Sequence, residues 1–252
     1  MTRRRTLRLV VILAVLLAGL GLLVPGSPAY LPSLVGQYSR YQQGHSLGYW
    51  VRALGGTDPG VRRRAIFALG AMGPDAAEAA PALGTILTGD LDAEDRHQAA
   101  LALAKMAPAS GAAVPDLARA LDGDEEPAVR MNAAFALGRL GGQSRPAVPA
   151  LIRTMERRAN RTNVDTFNCT IQEMAALALG RATAGGAEGV APLTEALAAA
   201  RTADKRRAVV RALGEVGPPA RAAAPRLRAL LADDSPEVRN AAEEALRKIE
   251  GE

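Results

Sequence analysis

Two histidines, His45 and His97, and one cysteine, Cys169, are the chain's whole stock of the side chains that most often bind metals or attack substrates. Two imidazoles furnish few metal sites without help from carboxylates, and a single thiol forms no internal disulfide. Cys169 is expected at the start of a helix, where the helix N-terminus lowers a thiol's pKa. A reactive or intermolecular thiol and a half-buried bystander are both open readings of it. His97 is expected within a helix, as a surface or inter-helix residue, and His45 as a helix cap. Asn160-Arg161-Thr162 and Asn168-Cys169-Thr170 match the glycosylation pattern, but three-residue matches are frequent by chance. The Ala-, Arg- and Gly-heavy composition also points to a bacterial coding bias, which speaks against their use. The glycines mark turns between helices and form no phosphate-cradling loop. Catalysis needs a nucleophile, base or metal set converging in space. No such set is visible, so no catalytic residue, metal ligand or cofactor is expected.

The residues that recur are structural. Ala68-Leu69-Gly70, Ala102-Leu103-Ala104, Ala136-Leu137-Gly138, Ala178-Leu179-Gly180, Ala212-Leu213-Gly214 and Ala245-Leu246 place their leucines 34, 34, 42, 34 and 33 residues apart. A second series, Leu83, Leu117, Leu151, Leu193 and Leu227, runs at 34, 34, 42 and 34. Two series with one period and one shared excess mean that each repeat contributes two elements in a fixed relation. Val61, Ala65, Ala68, Leu69 and Met72 form one apolar face at helical spacing. Asp58-Pro59 and Ser235-Pro236 read as helix starts, with Glu126-Pro127 a poorer cap. Gly73-Pro74, Gly141-Gly142 and Gly217-Pro218 read as helix ends. Second helices begin near Pro81, Pro115, Pro149, Pro192 and Pro225, and nothing alternates like a strand. With 48% hydrophobic but only 3% aromatic residues, the core must be packed mainly with Ala, Leu, Val and Ile, which favours closely packed helices.

The first 29 residues differ. Arg3, Arg4, Arg5 and Arg8 precede an apolar run from Leu9 to Val24, and Ser27-Pro28-Ala29 offers small residues to a signal peptidase. The run falls between a signal-peptide core of about 7 to 15 residues and a membrane span of about 20. Residues 1–29 are therefore expected to be a signal-anchor or a signal peptide. The positive-inside rule then keeps the arginines in the cytoplasm and delivers the rest outside it. The expectation is a single-pass membrane protein with an extracytoplasmic C-terminal domain, or an exported (periplasmic or secreted) one if the leader is cleaved. Residues 30–45 form an aromatic-rich juxtamembrane or cap segment. Tyr30, Tyr38 and Tyr41, with Tyr49 and Trp50 just beyond, could make an interfacial belt, a partner site or the hydrophobic lid of the first repeat. Residues 46–252 form the repeat domain, with an insertion within 157–168. Asn160 to Asn163 read there as loop. Insertions in solenoids often lie at the binding edge, and a linker without function is the open alternative.

The sequence Asp-Pro-x-Val-Arg, Ala-x-x-Ala-Leu-Gly, Gly-Pro, Pro-x-Leu, present in full from Asp58 to Leu83, resembles HEAT repeats, particularly the short HEAT-like repeats first associated with phycobilisome lyases. The resemblance covers roughly residues 46 to 250. It implies an all-α fold, an α-solenoid of about five to six helix pairs following the N-terminal hydrophobic helix. Residues 46–55 would be a lone second helix, and residues 236–250 a closing first helix whose Glu243 and Arg247, and Glu244 and Lys248, pair on an outer face. HEAT-like deoxyhypusine hydroxylases hold two irons on paired His-Glu steps. Here His45 precedes Ser46 and His97 precedes Gln98, so that resemblance brings no site. The implied function is a non-catalytic protein-interaction scaffold or adaptor. The alternatives are an enzyme-associated role of the bilin-lyase kind, or nucleic-acid binding of the kind seen in some HEAT-like DNA glycosylases.

Net charge +5 suggests a phosphate binder, but the distribution of that charge does not. Four of the 31 basic residues lie in the acid-free leader, leaving 27 against 26 acidic ones, without the excess that nucleic-acid binding needs. The expected partners are therefore a protein, with the membrane contacted through the N-terminal helix, and neither nucleic acid nor a small-molecule substrate. Arg62, Arg96, Arg130, Arg206 and Arg239 share one register of the first helices, with Gln172 in the interrupted repeat. By resemblance to HEAT arrays they are expected to bond neighbouring acids or helix ends, with Gln172 marking the least regular stacking. In the second helices the position two after the leucine points about 200° away from it. That row reads Arg52, Thr85, Arg119, Arg153, Glu195 and Ala229. By the same resemblance the second helices line the concave surface where partners usually lie. Arg52, Arg119 and Arg153 are thus the protein-binding candidates, suited to an acidic segment, against the plainer reading of solvated side chains.

Overall fold

The structure, a computed structural model, describes residues 45–89, 92–156 and 165–251. The chain divides into two compact units, residues 1–49 and residues 50–252. Of the first, only 45–49 are described. There Ser46 Oγ accepts from the Tyr49 amide at 3.4 Å, and the His45 ring stacks on Tyr49 with centroids 3.8 Å apart. Ser46, rather than His45, is the cap.

The described elements are helices: α1 (Leu47–Leu54), α2 (Pro59–Met72), α3 (Ala80–Gly89), α4 (Ala93–Met106), α5 (Val114–Gly123), α6 (Pro127–Leu140), α7 (Val148–Glu156), α8 (Asp165–Ala182), α9 (Val190–Ala199), α10 (Ala203–Val216), α11 (Ala224–Ala229) and α12 (Pro236–Glu250). The first helices of the repeats, α2, α4, α6, α8, α10 and α12, pack in succession as one layer, and the second helices α3, α5, α7 and α9 pack in succession as the other. This is the all-α solenoid that the repeat period implies. α1 stands where a lone second helix was expected, with Trp50 and Leu54 buried.

Local chemistry sets the boundaries. Asp58 Oδ1 accepts from the amide of Gly60 at 2.7 Å, and Asp92 Oδ1 from that of Glu94 at 2.9 Å, satisfying donors that a helix N-terminus leaves orphaned. Glu126 caps nothing with its side chain, and the Glu126 amide donates instead to Asp124 Oδ1 at 2.9 Å. Gly73, Gly141 and Gly217 end α2, α6 and α10 with φ of 61°, 56° and 78°, a region costly for any other residue. The connections that follow, Gly73–Ala79, Gly141–Ala147 and Pro218–Ala223, are 3₁₀ helices rather than open turns. Buried Ser110 and Ser144 each close such a connection by donating to the carbonyl of the repeat leucine, Leu103 at 2.7 Å and Leu137 at 2.6 Å.

Both leucine series lie in the core: Leu69, Leu103, Leu137, Leu179 and Leu213, and Leu83, Leu117, Leu151, Leu193 and Leu227, are all 0% exposed. The glycine after the first-series leucine lies inside its helix. A Cβ on Gly70 would stand 3.0 Å from Ala102 Cα, and one on Gly214 3.0 Å from Ala245 Cα. The Ala-Leu-Gly step is thus where consecutive first helices approach most closely, not a turn. α8 is 18 residues long, against 14 for α2, α4, α6 and α10. Part of the eight-residue excess therefore lengthens this helix at its start. Residues 157–164, including the expected loop Asn160 to Asn163, lie outside the described residues.

The expected membrane placement is corrected by the structure. Among the described residues no helix is long and apolar enough to cross a membrane. The longest, α8, carries Asp165, Glu173 and Arg181, and α3, which has no charged residue, is only 10 residues long. The run Leu9 to Val24, residues 1–29 as a whole, and Tyr30, Tyr38 and Tyr41 lie outside the described residues.

Candidate protein-binding surface

The row two residues beyond the second-helix leucines points away from the core, as helical period requires: Arg52, Thr85, Arg119, Arg153, Glu195 and Ala229 are all exposed. Two of its arginines already hold acids. Arg119 pairs with Asp116 one turn earlier on α5. Arg153 on α7 reaches across the repeat boundary to Asp122 on α5, its Nε 3.3 Å from Oδ1. The Asp122 carboxylate raises the affinity of the Arg153 guanidinium for its proton further. The arginine end of each pair is exposed, where Coulomb attraction is weakened and screened by solvent, so a partner carboxylate can compete with Asp116 or Asp122. Thr85 turns its hydroxyl inward to the Pro81 carbonyl at 3.2 Å.

The arginine column of the first helices is bonded within the array, either to the neighbouring repeat or to the turn before its own helix. Arg96 forms a two-pronged pair with Asp124, just ahead of the next first helix, at 2.8 and 2.9 Å, and Arg206 does the same with Asp233 at 2.8 Å on both prongs. Arg130 donates to the Asp124 carbonyl at 2.6 Å and Arg239 to that of Asp233 at 2.7 Å. Asp124 and Asp233 therefore each join three things: the arginine of the previous repeat, the arginine of their own, and the start of the next helix. At Gln172 this ladder changes chemistry, since its Oε1 accepts from Lys205 Nζ at 3.3 Å. One residue before the column stand Val129, Ile171 and Val238, all buried, but Asp95 takes that place in α4 and is fully buried. Arg62 Nη2 at 3.2 Å and Arg63 Nε at 2.6 Å compensate its charge.

Asp233 makes the ladder sensitive to acid. The Arg206 guanidinium, then the Ser235 amide, hold its carboxyl below the usual carboxylate range. Because the folded value is depressed, the stabilisation is present above the ordinary carboxylate pKa of about 3.9 and is lost as pH falls through the lower folded value. Asp233→Asn should therefore be less stable than the native protein at pH 6, with the difference shrinking toward pH 2. Denaturant midpoints across that range measure it, and a gap that stays constant would remove Asp233 from the acid response.

His97 contacts the next repeat, its Nδ1 3.2 Å from Asn132 Nδ2, as an inter-helix residue should. Cys169 falls within the N-terminal part of α8. Among the described residues no group of His, Cys, Asp and Glu could hold a metal ion.

Comparison with known proteins bears on the whole array. The sequence pattern for HEAT repeats matches residues 80–164 and 164–247, and that for the PBS lyase HEAT-like repeat matches residues 61–88. No curated protein matches the chain. A solved structure from work on a conserved phosphorylation switch that controls the interaction between cadherin and beta-catenin is similar, with a TM-score of 0.51 and 13% identity over 91% of this chain and 51% of that one. The chain thus spans about half the length of that structure, and at such identity the likeness is one of fold alone. With the HEAT pattern running over two thirds of its length and the stacked helix pairs to match, the chain belongs to the HEAT repeat family.

Proposed function

We propose that the protein is a non-catalytic interaction scaffold that takes an acidic segment of a protein partner on its second helices, with Arg52, Arg119 and Arg153 as the contacting cations. A stack of helix pairs offers a long surface and repeats its outward positions at a fixed interval, which suits an extended partner. The observation that carries the reading is the exposed row itself: Arg52, Arg119 and Arg153 stand in water at the register whose neighbour two residues earlier is fully buried leucine in the complete repeats. The acids paired with Arg119 and Arg153, Asp116 and Asp122, are half-buried, while the guanidinium groups themselves stay exposed to a competing carboxylate.

Charges at such a rim act more on encounter than on the final complex. With a partner retained by the full-length protein, Arg119→Glu/Arg153→Glu should slow association about tenfold at low salt and abolish most of its salt dependence, while helicity by circular dichroism stays unchanged. Stopped-flow association at two salt concentrations provides the measurement. Association kinetics that match the native protein would move the contact off this row.

A further inference from the structure

The outward face of the first helices carries a pattern that the second-helix row does not explain. Two residues before the repeat leucine stand Phe67, Leu101, Phe135 and Leu177, on α2, α4, α6 and α8. This register points about 160° from the core-facing leucine. Phe67 is 49% exposed, and Leu101, Phe135 and Leu177 are half-buried. In α10 and α12 the same register holds Arg211 and Glu244, both exposed. Packing within the fold thus tolerates charge at this place, and the four apolar residues are not there to fill a core. One turn further along each helix, on the same face, come Ala71, Lys105, Arg139 and Arg181, all exposed. The apolar row therefore has a basic border over its last three repeats. Lys105 Nζ lies 5.7 Å from the centre of the Phe67 ring, joining border to row.

We propose that this face docks an amphipathic helix of a protein partner, apolar along one stripe and acidic along the adjoining one. Packed helices lie about 8 to 10 Å apart, so the four apolar residues recur at about that interval. Seven residues of α-helix rise about 10.5 Å and return to nearly the same side. Three residues of extended chain also cover about 10 Å, but an odd step turns the side chain to the opposite face. A helix laid across α2, α4, α6 and α8 can therefore present an apolar residue to each of Phe67, Leu101, Phe135 and Leu177, and carboxylates one turn away to Lys105, Arg139 and Arg181. Charge complementarity favours an acidic partner over a second copy of this chain, because two such faces meeting head to tail would set one basic border against the other.

The probe is a 28-residue Ala-rich peptide with Leu at every seventh position and Glu three and four residues after each, read by fluorescence anisotropy against the full-length protein. Binding is expected, with a peptide carrying Lys in place of Glu at least about tenfold weaker. Phe67→Glu/Phe135→Glu, which places in two repeats the kind of residue that α12 has at this register, should weaken the Glu peptide at least about tenfold. Lys105→Glu/Arg139→Glu, at exposed positions outside the core, should reverse the preference toward the Lys peptide. Arg119→Glu/Arg153→Glu should leave both affinities unaltered, which separates this face from the second-helix row. Failure of the native protein to bind the Glu peptide, equal binding by the charge-reversed variant, or self-association that Phe67→Glu/Phe135→Glu abolishes would each overturn the proposal.

Discussion

Gly180→Ala should destabilise the array by about 1 to 3 kcal/mol, whereas Gly138→Ala should leave it unchanged or slightly more stable. Both glycines occupy the same position of the Ala-Leu-Gly step, and by helix propensity alone each replacement should gain up to about 1 kcal/mol. What differs is the neighbour. A Cβ on Gly138 would stand 3.5 Å from Ala178 Cα, an ordinary contact. A Cβ on Gly180 would stand 2.8 Å from Ala212 Cα and closer still to the Ala212 carbonyl oxygen. Those are backbone atoms of α10, which cannot turn aside as a side chain can, so α8 and α10 must separate and the contacts along their length weaken with them. Denaturant midpoints of the two variants decide the matter. Equal effects, in either direction, would mean that the glycine serves conformational freedom rather than the approach of the helices.

That glycine shows where sequence reasoning reached its limit. Periodicity made the helix pairs, both leucine series and the closing helix legible, because burial at a fixed angular step leaves a direct trace in residue type. Asp58, Ser235 and the helix-ending glycines were legible for the same local reason: a cap or a positive φ selects few residues. A glycine inside a helix carries no such mark, and only the position of the next repeat shows that Gly70, Gly180 and Gly214 are close-approach points. Asp95 is another such case. It is the one buried polar residue in a register that holds valine or isoleucine at Val61, Val129, Ile171 and Val238 and a half-buried lysine at Lys205, and its partner Arg62 lies in the preceding repeat. In the candidate row, the outward direction of Arg52, Arg119 and Arg153 followed from helical geometry. The pairing of Arg119 with Asp116 follows from i,i+3 spacing, but that of Arg153 with Asp122 depends on how α7 stacks beside α5. The arginine column was readable as an inter-repeat device through its resemblance to HEAT arrays. The particular acceptors, Asp124 and Asp233, required the geometry of the turn before each helix.

Leu137→Ala should cost about 2 to 5 kcal/mol, the range for removing a buried leucine side chain and leaving a cavity. Leu137 is 0% exposed, on α6, which packs against α4 on one side and α8 on the other within the first-helix layer. In a repeat array each repeat is held by its own packing and by its two neighbours, so a loss in the middle weakens two boundaries together and can uncouple the ends. The single tryptophan, Trp50, lies buried at the N-terminal end of the repeats, whereas far-ultraviolet circular dichroism averages over all the helices. In the native protein the two signals should change together under denaturant. In Leu137→Ala the helical signal should move to lower denaturant, while the Trp50 signal moves less, because the first repeats keep their own packing. Separated transitions of that kind would place Leu137 at the coupling between the two halves. If both signals keep the native midpoint, Leu137 does not carry the packing between repeats that its burial implies.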